Sequence, residues 1–284
     1  MRVLVFGNGW LGGRIAEHLN GAIADADILD TEAVASTLAG YKPDVVINAA
    51  GKCGSPNIDW CEATNDNKRL TRYCNTFGPP VLYHMAEAVG EKIGVEPFFV
   101  HLSSGCLWSH KYDIDETMPP EPPSYYSETK AEGEQRLPHD KALIVRLRMP
   151  IDREPHPRNL ITKLSNYGFV LDEPNSVTFV DDFLCALKHL VDNRCTGVFN
   201  VVNPGPLSAW EIMTLYTEMV DENHVARRID MDYLWENGMI KAGRSNCTLS
   251  VEKLKQAGFE MPDAKAKIGE CMREYAKRLQ DRKD

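Results

Sequence analysis

The stretch Val3-Leu4-Val5-Phe6-Gly7-Asn8-Gly9-Trp10-Leu11-Gly12 decides the fold of this 284-residue chain. Its first four residues are apolar and predict a buried strand, and the pattern of Leu11–Leu19 predicts a helix. The three glycines between them provide a tight turn, close approach of the backbone to a pyrophosphate, and close packing of helix on strand. By itself the motif also fits an ordinary glycine-rich turn, so residues further along the chain must decide.

Apolar runs alternate with helical patterns through the first half of the chain. After Val3–Phe6, the predicted strands are a short one within Gly21–Ile28, then Asp44–Gly51, Phe98–Leu102 and Leu143–Leu147. The predicted helices are Leu11–Leu19, Thr31–Ala39, Ala63–Val89 (one helix, or two broken near Gly78-Pro79-Pro80) and Tyr125–Leu137. This alternation predicts an α/β fold, a Rossmann-type doubly wound parallel sheet with helices on both faces.

The pattern becomes irregular after Pro150, and we divide the chain there. Residues 1–150 are predicted to form a dinucleotide-binding domain, and residues 151–284 a smaller α/β substrate-binding region that is interleaved with it. In that region we expect strands near Val177–Phe179 and Val198–Val201, and helices near Asp181–Asp192, Ser208–Val220, Val251–Ala257 and Asp263–Gln280.

Composition excludes several classes of protein. The net charge is −9, and there is no basic run, so no nucleic-acid surface is expected. There is no apolar stretch long enough for a membrane span or a signal peptide. The chain has eight cysteines but no C-x-x-C pair, so we expect no metal site. These features predict a cytoplasmic protein with reduced thiols.

A second motif supplies proton chemistry. Tyr126 and Lys130 lie four residues apart on a predicted helix, so one side chain sits above the other. The Lys130 cation is expected to favour the phenolate and to lower the pKa of the tyrosine from about 10. Ser104 follows the preceding strand and can hold the same substrate oxygen. These three residues predict the proton-handling half of a hydride-transfer site.

The expected cofactor is NADPH, with NADH as the alternative. In NAD enzymes an acidic residue about 20 positions after the glycine turn binds the adenosine ribose. Asp25, Asp27 and Asp30 are the candidates. The predicted second strand is short, and we place Asp27 and Ile28 near the adenine.

In these motifs the chain resembles the extended short-chain dehydrogenase/reductase superfamily. Within it, the chain is most similar to the nucleotide-sugar epimerase/reductases that form UDP-L-rhamnose in plants and some large viruses. GDP-fucose synthase and dTDP-4-dehydrorhamnose reductase are more distant. The resemblance runs to about residue 255 and rests on Ile47–Gly51, Pro56–Glu62, Ser104-Gly105-Cys106, Tyr126-x-x-x-Lys130, Leu147–Pro150, Pro157–Lys163 and Arg244-Ser245-Asn246.

The glycine motif departs from that superfamily in one respect. The superfamily usually has G-x-x-G-x-x-G, whereas this chain has one residue fewer between its first two glycines. The departure leaves the fold expectation in place and leaves the pyrophosphate contacts open.

The resemblance implies three sets of site residues. The catalytic set is Ser104, Tyr126, Lys130, Cys106, Lys163 and Asn75, the last of which positions a water beside Lys130. The cofactor-binding set is Gly7, Asn8, Gly9, Trp10, Leu11, Gly12, Asp27, Ile28, Ala49, Ala50, Gly51, Tyr126, Lys130 and Met149. The substrate-binding set is Asn57, Asp59, Cys106, Arg148, Arg158, Asn159, Lys163, Arg244 and Asn246.

Cys106 distinguishes an epimerase/reductase from a plain ketone reductase. In a 4-keto sugar the carbonyl acidifies the protons on C3 and C5. Inversion needs one group to remove such a proton and another to return it on the opposite face. A thiol, with an ordinary pKa of about 8.5, can be tuned into that role. In the epimerising families a cysteine stands two residues after the catalytic serine, and the partner acid/base resembles Lys163.

The resemblance therefore implies a bifunctional 3,5-epimerase/4-keto-reductase that converts UDP-4-keto-6-deoxy-D-glucose to UDP-L-rhamnose with NADPH. One alternative is a simple NADPH-dependent 4-keto sugar reductase, in which Cys106 is a packing residue. Another is a non-catalytic, NADP-binding regulatory subunit, although the intact set of Ser104, Tyr126 and Lys130 argues against it.

Several residues also have structural interpretations. We interpret His101 as structural and expect the following cysteines to be small buried hydrophobic residues: Cys53, Cys61, Cys185, Cys195 and Cys271. Asp59 fits packing at the sheet edge as well as it fits a sugar contact. Arg244 fits either a grip on the substrate diphosphate or a surface ion pair.

The resemblance implies two partners besides the UDP-sugar. A separate 4,6-dehydratase must supply the substrate, and a homodimer is expected to pair through Ala63–Val89 and Tyr125–Leu137. Leu82, Met85 and Val89 are apolar at helical spacing, which is compatible with that interface and equally with packing inside the chain.

Overall fold

The computed structural model describes residues 1–282 and contains strands in both halves of the chain. The strands are β1 (Val3–Phe6), β2 (Ala22–Ala24), β3 (Val45–Asn48), β4 (Phe98–Ser104), β5 (His110–Ile114), β6 (Ala142–Leu147), β7 (Pro150–Ile151), β8 (Phe169–Leu171), β9 (Asn175–Phe179), β10 (Gly197–Asn200), β11 (Asn203–Leu207), β12 (Arg227–Ile229) and β13 (Asn246–Leu249).

The α-helices follow the same numbering in chain order. They are α1 (Trp10–His18), α2 (Thr31–Tyr41), α3 (Asn65–Arg72), α4 (Gly78–Ile93), α5 (Tyr125–Gln135), α6 (Leu160–Leu164), α7 (Val180–Asp192), α8 (Ala209–Met219), α9 (Met231–Glu236), α10 (Glu252–Gln256) and α11 (Ala264–Asp281). A 3₁₀ turn spans Ile58–Glu62 and a π-helical segment spans Tyr73–Phe77.

The central sheet has six strands in the order β10-β6-β4-β3-β1-β2, and every neighbouring pair is parallel. The predicted doubly wound α/β fold is confirmed. The edge strand β10 comes from the region that we assigned to substrate binding, so the two predicted regions share one sheet. The division at residue 150 stays a prediction.

Alternation along β1 sends side chains to both faces of the sheet. Val3 and Val5 pack on one face with the helices α1 and α7, where Ile15 and Phe183 are fully buried. Leu4 and Phe6 pack on the other face with α2 and α4. Each such buried side chain stabilises the fold by about 1.5–3 kcal/mol, so both faces hold the carboxyl ends of the strands in place.

A second core lies in the second half of the chain. The sheet β11-β9-β7 packs against α6, α8 and α11, with Phe179 and Tyr275 almost fully buried between them. Two further strand pairs, β12 with β8 and β13 with β5, were missing from the sequence prediction. These strands have three to five residues and mixed polarity, so they carry no clear period-two signal.

The predicted helix Ala63–Val89 is replaced by three consecutive helical segments. The π segment joins α3 to α4, and Gly78-Pro79-Pro80 begin α4 instead of breaking the chain. Proline is tolerated there because its missing N–H falls in the first turn of a helix. Leu82 and Val89 are buried against the sheet of the same chain, so their spacing reflects internal packing.

Among the helices of the described residues, no segment combines the length and apolar character that a membrane crossing requires.

Candidate active site

One cavity of about 750 Å³ lies beyond the carboxyl ends of the central strands. Residues that follow β1, β3, β4 and β6 line one side of it, and residues of α6, β8 and the chain before β13 line the other side. Ligands of open α/β sheets bind at this edge because the loops and helix N-termini converge there. The cavity therefore brings together most of the site residues that were predicted from distant parts of the sequence.

The glycine turn after β1 fits a dinucleotide. Gly7 has a φ of +109°, and a Cβ on Gly12 would lie 1.9 Å from the carbonyl oxygen of Gly7, so both positions require glycine. A Cβ on Gly9 would meet nothing within 4 Å. Gly9 is also the N-cap of α1, and no capping side chain accepts a hydrogen bond from the first N–H groups of this helix. The open space and the free N–H groups of α1 suit a pyrophosphate.

Most residues of the predicted cofactor set lie at this cavity. Its lining includes Gly9, Trp10, Leu11, Gly12, Ala49, Ala50, Gly51, Tyr126, Lys130 and Met149. Gly7 supports the turn from behind, and Asn8 is exposed beside it. Ile28 is buried in the core beside α4, and Asp27 accepts a hydrogen bond from the N–H of Leu29. Contacts of Asp27 and Ile28 with a cofactor stay predictions.

The structure brings together the three residues that were predicted to handle the proton in reduction. Ser104 ends β4 and lies in the cavity with Tyr126 and Lys130, which occupy the first two turns of α5. The Lys130 ammonium donates a hydrogen bond of 2.7 Å to the carbonyl oxygen of Leu102 and is 5% exposed. This anchor fixes the lysine beneath the tyrosine.

Burial determines the protonation states of Tyr126 and Lys130. It raises the pKa of Tyr126 above its ordinary value. The thiols Cys53 and Cys106 raise the pKa further, and a hydrogen bond with Ser104 opposes them. The expectation that Lys130 lowers this pKa is wrong, because the cost of burying a phenolate exceeds any stabilisation by the cation. Burial also lowers the pKa of Lys130 to about 8. Tyr126 is thus a neutral phenol that can donate a proton.

Asn75 lies in the π segment, where a widened turn places it against α5 and the loop after β3. Its carboxamide accepts a hydrogen bond from the N–H of Lys52 and donates one to the carbonyl of Lys52, both of 2.8 Å. It also donates to the hydroxyl of Thr129 at 3.2 Å. Asn75 therefore holds a loop that lines the cavity, and the water that we expect beside Lys130 stays a prediction.

Cys106 lines the cavity two residues beyond Ser104. Its backbone N–H donates to the Ser104 hydroxyl at 3.1 Å, which orients the serine. Its sulfur accepts a hydrogen bond of 3.1 Å from the guanidinium of Arg148. Arg148 lines the cavity but is only 1% exposed, so most of its surface contacts protein.

Lys163 reaches the same cavity from α6. The side chain of Asn159 caps this helix at the N–H of Ile161 and also binds the backbone of Asp152 and Glu154. Asn159 is fully buried and lies behind the cavity wall, where it positions the helix that carries Lys163.

Burial lowers the pKa of Lys163, and the neighbouring Arg158 lowers it further. The thiols Cys53 and Cys106 act in the opposite direction. The amine can therefore exchange a proton closer to neutrality than an ordinary lysine.

The proposed phosphate ligand Arg244 is paired with Asp59. The guanidinium donates two hydrogen bonds to the carboxylate, of 2.8 and 3.0 Å, and both side chains are about one-fifth exposed. Burial alone would raise the pKa of Asp59, but the bonds from Arg244 and Ala242 outweigh it and the pKa is lowered. Arg244 lines the cavity but Asp59 does not, so the carboxylate holds the arginine and its own contact with substrate stays a prediction.

The other predicted substrate ligands have clear structural contacts. Asn57 lines the cavity and caps the 3₁₀ turn through the N–H of Asp59. Asn246 is 6% exposed and accepts a hydrogen bond from Asn175 at 3.2 Å. Arg158 projects towards the loop after β3 and donates to the Gly54 carbonyl at 2.7 Å.

Cys53 is the site residue that the sequence interpretation missed. It is exposed, lines the cavity and accepts a hydrogen bond of 2.8 Å from Arg158. The prediction of a buried hydrophobic role is also wrong for Cys185, which is exposed, and Cys195 is only partly buried. It is confirmed for Cys61 and Cys271. The sequence signal that could have identified Cys53 as a site residue is its position directly after the turn Ala49-Ala50-Gly51 that follows β3.

Comparison with known proteins gives a family and close relatives. The family model described as RmlD substrate binding domain matches residues 1–277. The chain is 30% identical to a bifunctional dTDP-4-dehydrorhamnose 3,5-epimerase/dTDP-4-dehydrorhamnose reductase from Arabidopsis thaliana, over 93% of this chain and 90% of that protein.

Two further matches point to the same chemistry in other proteins. The crystal structure of the L780 UDP-rhamnose synthase from Acanthamoeba polyphaga mimivirus superposes with a TM-score of 0.85 and 26% identity, covering 96% of this chain and 99% of that one. A trifunctional UDP-glucose 4,6-dehydratase/UDP-4-keto-6-deoxy-D-glucose 3,5-epimerase/UDP-4-keto-L-rhamnose-reductase from Arabidopsis thaliana is 29% identical over 97% of this chain, which spans 42% of that longer protein.

Proposed function

The chain belongs to the RmlD substrate-binding family of extended short-chain dehydrogenase/reductases, and we propose that it is a bifunctional 3,5-epimerase/4-keto-reductase. Its substrate is UDP-4-keto-6-deoxy-D-glucose, its cofactor NADPH and its product UDP-L-rhamnose. The observation that carries the proposal is that Cys106 and Lys163 enter the same cavity as Ser104, Tyr126 and Lys130. A plain ketone reductase needs only the last three.

Inversion uses the acidity of the carbons beside the C4 carbonyl. One of Cys106 and Lys163 removes the proton from C3 or C5, and the other returns a proton to the opposite face. The negative charge passes to the C4 oxygen, where the hydroxyls of Ser104 and Tyr126 can donate hydrogen bonds. Lys163 suits this exchange because its pKa is lowered by burial.

Reduction follows at C4. The nicotinamide, when bound, supplies a hydride to this carbon. Tyr126 protonates the resulting oxygen, and its raised pKa keeps the phenol protonated at every physiological pH. Lys130 sits below it and can restore the proton, since burial brings the pKa of its ammonium to about 8.

NADPH fits the residues of the glycine turn. Gly9 leaves space for phosphate oxygens, and the first turn of α1 offers N–H groups that no side chain occupies. The Asp27 carboxylate already accepts a hydrogen bond from the N–H of Leu29, so it is less available to accept one from a ribose hydroxyl. NADH is the alternative cofactor, and the ratio of kcat/KM for the two decides the preference.

The test uses heavy water. We expect the protein, incubated with UDP-4-keto-6-deoxyglucose and NADPH in D₂O, to yield UDP-rhamnose deuterated at C3 and C5, as identified by NMR. A product that keeps the original configuration and carries no deuterium at either carbon would show a simple reductase. Binding of NADPH without conversion of the sugar would show a non-catalytic subunit.

We also propose a homodimer that pairs through α3, the π segment and α5. Leu70, Tyr73 and Phe77 recur on one helical face and are 38%, 49% and 39% exposed, which is unusual for large apolar side chains on a monomer surface. We expect a dimer mass by light scattering at micromolar concentration, and Tyr73→Glu should yield the monomer. A monomer mass for the unmodified chain would contradict this interface.

The substrate must come from a 4,6-dehydratase, because the proposed chemistry starts from a sugar that is already oxidised at C4 and deoxygenated at C6. The Arabidopsis trifunctional relative carries that activity in its own name, and we propose a separate enzyme here. We further propose a cytoplasmic location, since all eight cysteines are free thiols.

A further inference from the structure

Six cationic side chains line the cavity, and most of them are already bound by the chain itself. Four of them donate hydrogen bonds to oxygens of the protein. In residues 1–282, the ammonium groups of the other two, Lys52 and Lys163, donate to no atom of the chain. Lys163 belongs to α6 and is assigned to the sugar, so Lys52 is the free cation to which the proposed chemistry gives no role.

Lys52 lies on the loop after β3, beside the glycine turn. A Cβ on Gly7 would lie 2.5 Å from the backbone nitrogen of Ala50, so the loop and the turn are in direct contact. Asn75 accepts a hydrogen bond from the N–H of Lys52 and donates one to its carbonyl, both of 2.8 Å. The backbone of Lys52 is therefore fixed, whereas its side chain is exposed and lines the cavity.

The charge of Lys52 acts beside the carboxyl end of β2. The π segment and the start of α4 pack there, since a Cβ on Gly78 would lie 2.5 Å from the side chain of Ile28. Cys74 of the π segment is buried, and burial raises the pKa of its thiol. The Lys52 cation lowers that pKa and the Asp27 carboxylate raises it, so the two opposite charges lie near the same buried residue.

The segment after β2 is a poor site for an anion. Gly21–Asp30 contains three aspartates and neither lysine nor arginine, and Asp25 and Asp27 are exposed. A phosphate monoester carries between one and two negative charges at neutral pH. The carboxylates would repel it, so a phosphate at the end of β2 requires a cation from another element of the fold.

We propose that Lys52 binds the 2′-phosphate of NADPH and is the residue that sets the preference for NADPH over NADH. The inference rests on the NADPH dependence of the proposed function and on the predicted position of the adenosine near Asp27. A lysine binds phosphate as a point charge. NADH has a hydroxyl in place of this phosphate, so the charge of Lys52 favours the phosphorylated cofactor alone.

The test measures binding and needs no sugar. Fluorescence titration gives the Kd of NADPH and of NADH, and calorimetry gives the Kd of 2′,5′-ADP and of 5′-AMP. In Lys52→Met the Kd of NADPH and of 2′,5′-ADP should rise about tenfold or more, the loss expected for one charge-assisted hydrogen bond. NADH and 5′-AMP should bind as they do to the unmodified protein.

Two further variants control this measurement. Lys52→Arg keeps the charge and should retain most of the preference for the 2′-phosphate. Lys92→Met is the matched control, because Lys92 is an exposed lysine in the last turn of α4 and does not line the cavity. It should leave all four Kd values unchanged.

Two results would overturn the proposal. An equal rise of all four Kd values in Lys52→Met would place the ammonium on the phosphates that both cofactors share. Unchanged binding of NADPH in that variant would remove Lys52 from the cofactor site. Lys52 is exposed, so the variant should fold, which circular dichroism checks, and Lys52→Gln is a second neutral variant for the same comparison.

These affinities do not depend on turnover, so they separate this inference from the proposed function. A preference for NADPH that Lys52→Met abolishes, in a protein that never converts the UDP-sugar, would leave the inference standing and remove the function. Formation of rhamnose by the unmodified protein with equal kcat/KM for NADPH and NADH would keep the function and overturn the inference.

Discussion

The two halves that we propose for the site, a reductive half with Ser104, Tyr126 and Lys130 and an inverting half with Cys106 and Lys163, are built in different ways. Ser104 and Lys130 are 4% and 5% exposed and belong to a central strand and the long helix packed beside it. Cys106 and Lys163 lie on a loop and on a helix of five residues, and each is partly exposed. The first half is part of the core, whereas the second is held by individual hydrogen bonds across the chain.

This difference indicates which half of the site can change more easily. Core positions are fixed by burial of both faces of the sheet, so they keep one geometry for hydride transfer and protonation. The inverting half depends on contacts such as Arg148 to Ser245, 97 residues apart in sequence. Such contacts can change without unfolding the sheet, and the two activities should therefore be separable by mutation.

Tyr126→Phe should separate them most strongly. Loss of the proton donor should lower the rate of C4 reduction by about 10⁴-fold, the upper end of the range for general acid catalysis. NADPH binding should be unchanged, and deuterium exchange at C3 and C5 should continue at a rate lowered far less, because Ser104 still donates to the C4 oxygen. NMR of the sugar and fluorescence titration of NADPH measure these three quantities. The control is Tyr125→Phe, since this neighbouring hydroxyl donates only to the Lys68 carbonyl. Reduction at the normal rate in Tyr126→Phe would remove the tyrosine from the mechanism.

Lys163→Met should do the reverse. Removing the opposing acid should slow inversion by about 100-fold, while reduction of a substrate that is already epimerised continues. Deuterium incorporation and NADPH oxidation, measured on the two substrates, give the two rates. Lys188→Met is the matched control because this lysine is exposed and pairs with Asp192. Equal losses in both rates would show that Lys163 serves the whole site and would break the division into halves.

The contrast between the halves also explains what the sequence could predict. The strands β1, β3, β4 and β6 are four to seven residues of almost uninterrupted burial, so their apolar runs and the flanking helices were visible. Ser104, Tyr126 and Lys130 follow from that register. Cys106 and Lys163 came from the family resemblance and not from periodicity.

Long-range contacts were beyond a reading of local patterns. No local signal connects Cys53 with Arg158, which are 105 residues apart, or Asp59 with Arg244, which are 185 residues apart. The direction of the Tyr126 pKa shift failed for the same reason, because the sequence showed the spacing to Lys130 but not the burial that dominates it.

The pH dependence of the free energy of unfolding should distinguish Lys130 in the reductive half from Lys163 in the inverting half. Burial lowers the pKa of Lys130 from 10.5 to about 8. Between these values the unfolded chain binds a proton that the folded chain lacks, so the stability contributed by this group rises with pH; below about 8 and above 10.5 it is constant.

Relative to Lys130→Met, the free energy of unfolding of the unmodified protein should therefore rise by up to about 3 kcal/mol from pH 8 to pH 10.5. Urea unfolding of both proteins at the two pH values measures this difference. The same comparison with Lys163→Met should give a smaller rise, because Lys163 is less buried. A flat difference for Lys130 would mean that the ammonium is well solvated in the folded protein.

The smallest expected effect concerns the outer wall of the inverting half, where Asp59 and Arg244 pair. Arg244→Ala should raise the substrate KM about tenfold with little change in kcat, since a charge-assisted hydrogen bond to a diphosphate contributes about 1.5–3 kcal/mol. Asp59 also accepts a hydrogen bond from Ala242 at 2.9 Å and so fixes the backbone beside the arginine. Asp59→Asn keeps an acceptor but loses the charge, and we expect a KM increase of about threefold because the guanidinium is held less firmly.

Arg2→Ala, which removes an exposed pair with Asp44 at 3.8 Å, should leave KM unchanged. Combining Asp59→Asn with Arg244→Ala should add nothing to the single arginine variant, because the carboxylate acts only through the guanidinium. A fall in KM for Asp59→Asn would instead show that the carboxylate competes with the diphosphate for Arg244. Substrate binding would then have to break the ion pair between Asp59 and Arg244. In that case the outer wall would tolerate mutation as readily as the short helix that carries Lys163.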